Sequence, residues 1–306
     1  MAQNQTLANT SFFSQDIWRL PENYYICESF YIVMSMDRSS YRNINRSVML
    51  DTQRQYETVP ELVAAVENSV SRQYMVAQED EVAVAGVGQS GTRYVVSGKR
   101  SFEAARGYNG KRVAVLNFAN NHSIGGSPFS AGAQEESLCR CSTLYPCLQA
   151  MNEPFYQRHI RLRGAHQMDH MGNDDIIYTP DVVVFKTDER TDPVYPQMMP
   201  SEAWYKVDVI TCAAPELWHG YKKPDNYDSL ITRRIKRILD VAASAGAEVL
   251  ILGKWGCGAF RNPVDVVAWA FKTLLRDYDF EVVEFALATR SDVGDDAFAR
   301  ELGTLA

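Results

Sequence analysis

The sequence predicts an α/β fold in three layers, a sheet covered by helices on both faces, with a helical extension ahead of it. From Thr92 onward, short β-branched runs alternate with helical ones, which is the pattern of strands and their covering helices. Several of these runs are continuously apolar, as strands buried on both faces are. With 306 residues and 46% hydrophobic content, the chain can also fill a sizeable core.

In chain order, residues 1–40 are polar and aromatic without a clear period, and read as an irregular or partly helical arm packed against the body. Residues 41–105 read as a helical accessory region. Two helices are expected between Tyr41 and Tyr74, the second opened by Thr58 and Pro60 and carrying Leu62, Val63, Val66 and Val70 on one face. Strands are expected at 94–96, 113–118, 176–178, 182–185, 207–211, 249–252 and 282–287. Between the last three lie two helices. One follows an Asn226 or Asp228 cap with Ile231, Ile235, Ile238, Ala242 and Ala245 on a stripe, and the other, 264–275, follows Pro263.

The formal charge of -7, from 31 basic and 38 acidic residues, argues against a general nucleic-acid binder. Six cysteines are too sparse for a disulfide framework in a chain this long, so free thiols are expected. Cys139, Cys141 and Cys147 lack the second paired motif of a zinc site. The five histidines (122, 159, 166, 170 and 219) include His166 and His170 flanking Asp169, in a Gly- and Asn-containing stretch that reads as solvated loop. No metal ligand or cofactor is assigned. The first 20 residues lack a basic and apolar leader, and no apolar run is long enough to span a bilayer, so an intracellular, cytoplasmic protein without membrane contact is expected.

Three loops carry chemistry. The strand VAVLNF runs through ANNHSIGGSPFSAGA into QEESLCRC, so a helix starts near Gln134 with Glu135 and Glu136 in its first turn. Ligands gather at the carboxyl ends of strands in such sheets, and Gly125 and Gly126 permit close backbone approach. The plainer reading is that the two glutamates simply complement a helix N-terminus, worth about 0.3–1 kcal/mol each. Adjacent helical residues do not share a face, so distinct roles fit them better than a symmetric pair. The second loop, LGKWGCGAF, offers backbone N–H groups at Gly256, Cys257, Gly258 and Ala259 to a phosphate or diphosphate, followed by Phe260. It lacks the Lys-Ser ending of a P-loop. A tight glycine turn explains it equally well. The third, VDVITCAAPE, ends a strand at Thr211 in small residues that suit either a planar base or plain close packing.

These segments in this order resemble the microbial-type poly(ADP-ribose) glycohydrolase family, whose hallmark is a glycine run followed after six to eight residues by Gln-Glu-Glu. Here Gly125-Gly126-Ser127, then PFSAGA, leads to Gln134-Glu135-Glu136. The likeness extends through LNFA, SLCRCSTLYPCL, YTPDVVVF, DVITCAAP and LGKWGCGAF, roughly residues 41–290.

The resemblance implies a three-layer α/β/α macrodomain with a mixed central sheet over 106–306, binding ADP-ribose or poly(ADP-ribose) on modified proteins and hydrolysing the ribose–ribose bond. It implies Glu136 as the catalytic acid and Glu135 on ribose hydroxyls. Gln134, Ser123, Gly125, Gly126, Ser127 and Thr211 would line the substrate. Gly256, Cys257, Gly258 and Ala259 would surround the diphosphate, with Phe260 near the distal ribose. A substrate phosphate would assist the water, a one-carboxylate variant of the usual glycosidase plan. Three positions, Ser123, Ile124 and Ser127, depart from the family's Asn-Pro-Gly-Gly-Gly, and two of the changes matter. Ser123 is too short to span the asparagine's hydrogen bonds, and Ser127 adds a side chain where backbone would approach ligand. Polymer hydrolysis, hydrolysis of mono-ADP-ribose linked to protein or nucleic acid, and ADP-ribose reading without turnover therefore stay open.

Overall fold

The computed structural model describes residues 38–84, 91–188, 196–289 and 292–303. The arm expected over 1–40, apart from 38–40, lies outside them, as do Cys27 and the side chain of His219.

Helix α1 (Arg38–Thr58) and helix α2 (Pro60–Arg72) open the described chain. Thr58 closes α1 rather than opening α2, because its hydroxyl donates to Arg54 O at 2.7 Å. Val59 is the N-cap of α2, and Pro60 begins the helix where a missing N–H costs nothing. Strands β1 (Tyr74–Val76) and β2 (Arg93–Ser97) follow, then α3 (Ser101–Arg106) and β3 (Val113–Ala119). After a 14-residue loop come α4 (Gln134–Cys141), α5 (Leu144–Ala150) and α6 (Arg158–Gly164). The chain continues through β4 (Ile176–Val184), β5 (Tyr205–Ala213), α7 (Tyr227–Ser244), β6 (Val249–Leu252), α8 (Val264–Leu274), β7 (Val282–Ala286) and α9 (Ala297–Leu302).

The sheet order is β1-β4-β5-β3-β6-β7-β2. β5, β3, β6, β7 and β2 run parallel, while β4 is antiparallel to both β5 and β1, so the sheet is mixed. The region 41–105 thus contributes both edge strands as well as helices. β1 has three residues, too few for an alternation to show in sequence. The two strands expected at 176–178 and 182–185 are one strand with a bulge, where Asp181 takes φ 54° and its N–H reaches Asp208 Oδ1 at 3.0 Å.

Strand alternation divides the core. Ala114, Leu116, Ile210, Cys212, Leu250, Leu252, Val283 and Phe285 pack with Ile231, Ile235 and Ile238 of α7 and Phe271 of α8. Val113, Val115, Val207, Val209, Val249 and Ile251 pack on the opposite face with Phe102 of α3, Leu138 of α4 and Leu144 of α5. Val183 and Phe185 meet Tyr56 of α1 and Leu62 of α2. The chain therefore leaves β3 toward one face, but leaves β5 and β6 toward the other. That divergence opens a crevice at the carboxyl ends of β5, β3 and β6. Among the described residues, no helix is long and apolar enough to cross a membrane.

Candidate active site

β3 supplies the centre of the crevice. Asn117 is fully buried in an otherwise apolar strand, and its amide donates to Glu135 Oε1 and to Thr211 Oγ1, both at 3.2 Å. Asn120 N–H donates to Glu135 Oε2 at 2.8 Å. Burial first, then the neighbouring Glu136 charge, raises the Glu135 carboxyl well above the usual carboxylate range, against the opposing Asn120 and Asn117 hydrogen bonds. Gln134 pins the helix to the strand. It accepts from Phe118 N–H at 2.9 Å and donates to Leu116 O at 2.8 Å and Ser101 Oγ at 3.0 Å.

Glu136 is held from the opposite side. Its Oε1 accepts from Ser127 N–H at 3.1 Å, while Oε2 is buried and has no hydrogen-bond partner among the described residues. A side chain on Gly126, which sits at φ 68°, would run into the carboxylates of both Glu136 and Glu135. One on Gly125, at φ 63°, would meet Cys139 Sγ at 2.8 Å and the Tyr145 ring at 3.0 Å. Both positions need glycine for conformation and for space. Ser127 is exposed and outside the left-handed region, so its side chain adds no strain, and it presents its backbone N–H to Glu136. Ser123 N–H and His122 N–H both donate to Asn120 Oδ1 at 2.9 Å, and Ser123 Oγ lies 3.2 Å from His122 Nδ1.

A second set of side chains holds this loop in place. Arg140, one helical turn beyond Glu136, is buried and donates to Pro128 O at 2.8 Å and Ala131 O at 2.7 Å. From α1, Asn45 donates to Ser130 O at 3.2 Å and Ala131 O at 3.1 Å, Tyr41 lies against Gly132, and Thr52 donates to Arg140 O at 2.7 Å. Asn117, Arg140 and Asn45 did not emerge from the motifs. The available signals were an asparagine inside a strand and an arginine inside the apolar run SLCRC.

Beside this, the loop after β6 is tied to the end of β5. Trp255, fully buried, donates from Nε1 to Cys212 O at 2.9 Å, and Asn262 Nδ2 donates to Pro215 O at 2.8 Å and Gly256 O at 2.9 Å. Gly256, at φ 73°, is crowded by Ala214 and Asn262, so the small residues of DVITCAAP serve close packing there. Burial pushes the Cys257 thiol up to about 12, which removes it as a nucleophile at neutral pH. Gly258 and Ala259 are exposed, Phe260 is half-buried, and a side chain at Gly258 would meet nothing within 4 Å. The remaining thiols, Cys139, Cys141, Cys147 and Cys212, are free and buried.

Of the residues singled out in the sequence, Gly126, Ser127, Glu135 and Glu136 are in direct contact, and Thr211 joins them through Asn117. The loop 256–260 reaches the same edge because β6 neighbours β3.

Comparison with known proteins places this fold among poly(ADP-ribose) glycohydrolases. The family model for the catalytic domain of microbial-type PARG matches residues 35–187. Poly(ADP-ribose) glycohydrolase from Thermomonospora curvata superimposes with a TM-score of 0.69 at 29% identity, covering 84% of this chain and 98% of that one. The same enzyme bound to the inhibitor ADP-HPD gives 0.66 at 28% identity, covering 84% and 97%. The Deinococcus radiodurans enzyme in complex with ADP-ribose gives 0.66 at 31% identity, covering 78% and 96%. No match was found among curated protein sequences.

Proposed function

Because this chain belongs to the microbial-type poly(ADP-ribose) glycohydrolase family, we propose that it hydrolyses the ribose–ribose bond of poly(ADP-ribose) and releases ADP-ribose, with Glu136 as its acid/base. The observation that carries this assignment is the asymmetry of Glu136. One oxygen is fixed by a backbone N–H, and the other is buried with no hydrogen-bond partner among the described residues, beside a glycine whose missing side chain leaves room for both carboxylates.

General acid catalysis begins with a proton on the carboxyl group beside the scissile oxygen. Glu136 delivers it to the leaving ribose oxygen as the glycosidic bond breaks through an oxocarbenium-like transition state. The same carboxylate then takes a proton from the water that attacks the anomeric carbon, with a substrate phosphate helping to hold that water. Glu135, fixed by Asn117 and Asn120, receives the ribose hydroxyls. Gln134 acts as a positioning residue, since its amide is engaged with β3. Gly258 is required neither by backbone conformation nor by packing, which supports its N–H as a contact to the diphosphate, with Gly256, Cys257 and Ala259 around it and Phe260 toward the distal ribose. The free thiols support a reducing, cytoplasmic setting.

Chromatography of the products from poly(ADP-ribose), and separately from mono-ADP-ribosylated protein, tests this reading. Free ADP-ribose released from the polymer supports it. Release only from the mono-modified protein would move the assignment to that linkage, and tight ADP-ribose binding with no release from either would make the protein a reader.

A further inference from the structure

We infer that the loop between β5 and α7 forms a second subsite, which holds the ADP-ribose unit on the leaving side of the scissile bond. This rests on the functional reading above and extends it from a terminal unit to the chain behind it. The order β5-β3-β6 sets the direction. With the terminal diphosphate over the loop after β6 and the scissile bond at Glu136 over β3, the leaving unit extends toward the loop after β5.

That loop has the chemistry of an adenylate site. Trp218 is 40% exposed and Tyr221 48%. The Tyr221 ring is already oriented by stacking on His170, with centroids 4.2 Å apart and planes at 16°. Lys222 and Lys223 follow directly and are exposed in a chain of net charge -7. Lys223 Nζ lies 3.6 Å from Asp228 and 5.3 Å from the centre of the Tyr227 ring. Scattered exposed aromatics are ordinary, but two of them beside two lysines complement a base and its phosphates, because a base stacks on aromatic faces and phosphates are drawn to ammonium groups.

The loop's start is fixed to the active site. Leu217 N–H donates to Phe260 O at 2.9 Å, and Glu216 N–H donates to His170 O at 2.9 Å. The Glu216 carboxylate accepts from Arg163 at 3.1 Å and lies 3.5 Å from His122 Nε2. Arg163 Nε and His170 Nε2 beside it are buried and have no hydrogen-bond partner among the described residues, so the loop's base holds unused polar capacity.

Calorimetric titration of Glu136→Gln protein, in which turnover is slowed by about 10²–10⁴-fold, with ADP-ribose and with a two-unit ADP-ribose chain tests the proposal. The two-unit chain should bind about five- to a hundred-fold more tightly, the range expected for one stacked base. Trp218→Ala/Tyr221→Ala should remove that advantage and leave ADP-ribose affinity unchanged. Lys222→Ala/Lys223→Ala should reduce the advantage and flatten its dependence on salt. Equal affinity for the two ligands would overturn the subsite while leaving the functional reading intact, as would double variants that weaken both ligands equally. Failure to bind either ligand would overturn the functional reading and the subsite with it.

Discussion

Glu136 and Glu135 are neighbours in sequence but are held by different parts of the fold, one by the Ser127 backbone and one by Asn117 and Asn120. Gly126 faces them from the loop after β3, and its missing side chain is the space that both carboxylates occupy. Gly126→Ala should therefore displace Glu136 and lower kcat by at least about 10²-fold, the lower end of what general acid catalysis contributes. The substitution should leave the circular dichroism spectrum unchanged, and steady-state kinetics alongside that spectrum checks both. The glutamates and glycines were legible in the sequence because a strand, a glycine loop and a helix start follow one another. Asn117 was not, because a single buried polar residue in a strand carries no spacing to read.

Helix α1 and the loop after β6 show how whole elements hold the reacting groups. Asn45 anchors the loop that brings Ser127 to Glu136. Asn45→Ala removes two hydrogen bonds to carbonyls, each worth about 0.5–1.5 kcal/mol. It should lower kcat several-fold more than it changes KM, and a change in KM alone would contradict the positioning role. The glycines after β6 divide by function. Gly256→Ala forces a side chain onto Ala214 and Asn262 at φ 73° and should lower the melting temperature. Gly258→Ala should leave the melting temperature unchanged and weaken ADP-ribose binding, which thermal unfolding and titration separate. The sequence showed two glycines, Gly256 and Gly258, in one loop, but not which serves packing and which faces open space. That distinction depends on the end of β5, a strand distant in sequence. The positions of the central strands were readable from continuous apolar runs, whereas the bulge in β4, where Asp181 N–H meets Asp208, leaves no periodic trace.

At the level of the molecule, the loop after β3 is joined to α6 through a buried pair. His159 meets Asn121 O at 3.0 Å through Nδ1 and Asp175 Oδ2 at 2.9 Å through Nε2. Burial opposes ionisation of Asp175, yet the His159 hydrogen bond, the Gln78 N–H and their neighbours bring its carboxyl down to about 2. A depressed folded-state value contributes stability that is complete above the unfolded value of 3.8 and is lost as pH falls toward 2. Wild type should lose about 2 kcal/mol more than Asp175→Asn as pH falls from 5 toward 2, measured by urea unfolding, and parallel curves would contradict this. Long-range ties of this kind explain why the three-layer plan was legible from strand and helix order while the support of the site was not. The central claim is tested most directly by comparing Glu136→Gln with wild type for release of ADP-ribose from poly(ADP-ribose) and for binding of free ADP-ribose. The account predicts that release falls by about 10²–10⁴-fold with the dissociation constant nearly unchanged. Retained release, or equal loss of both, would contradict Glu136 as the acid/base.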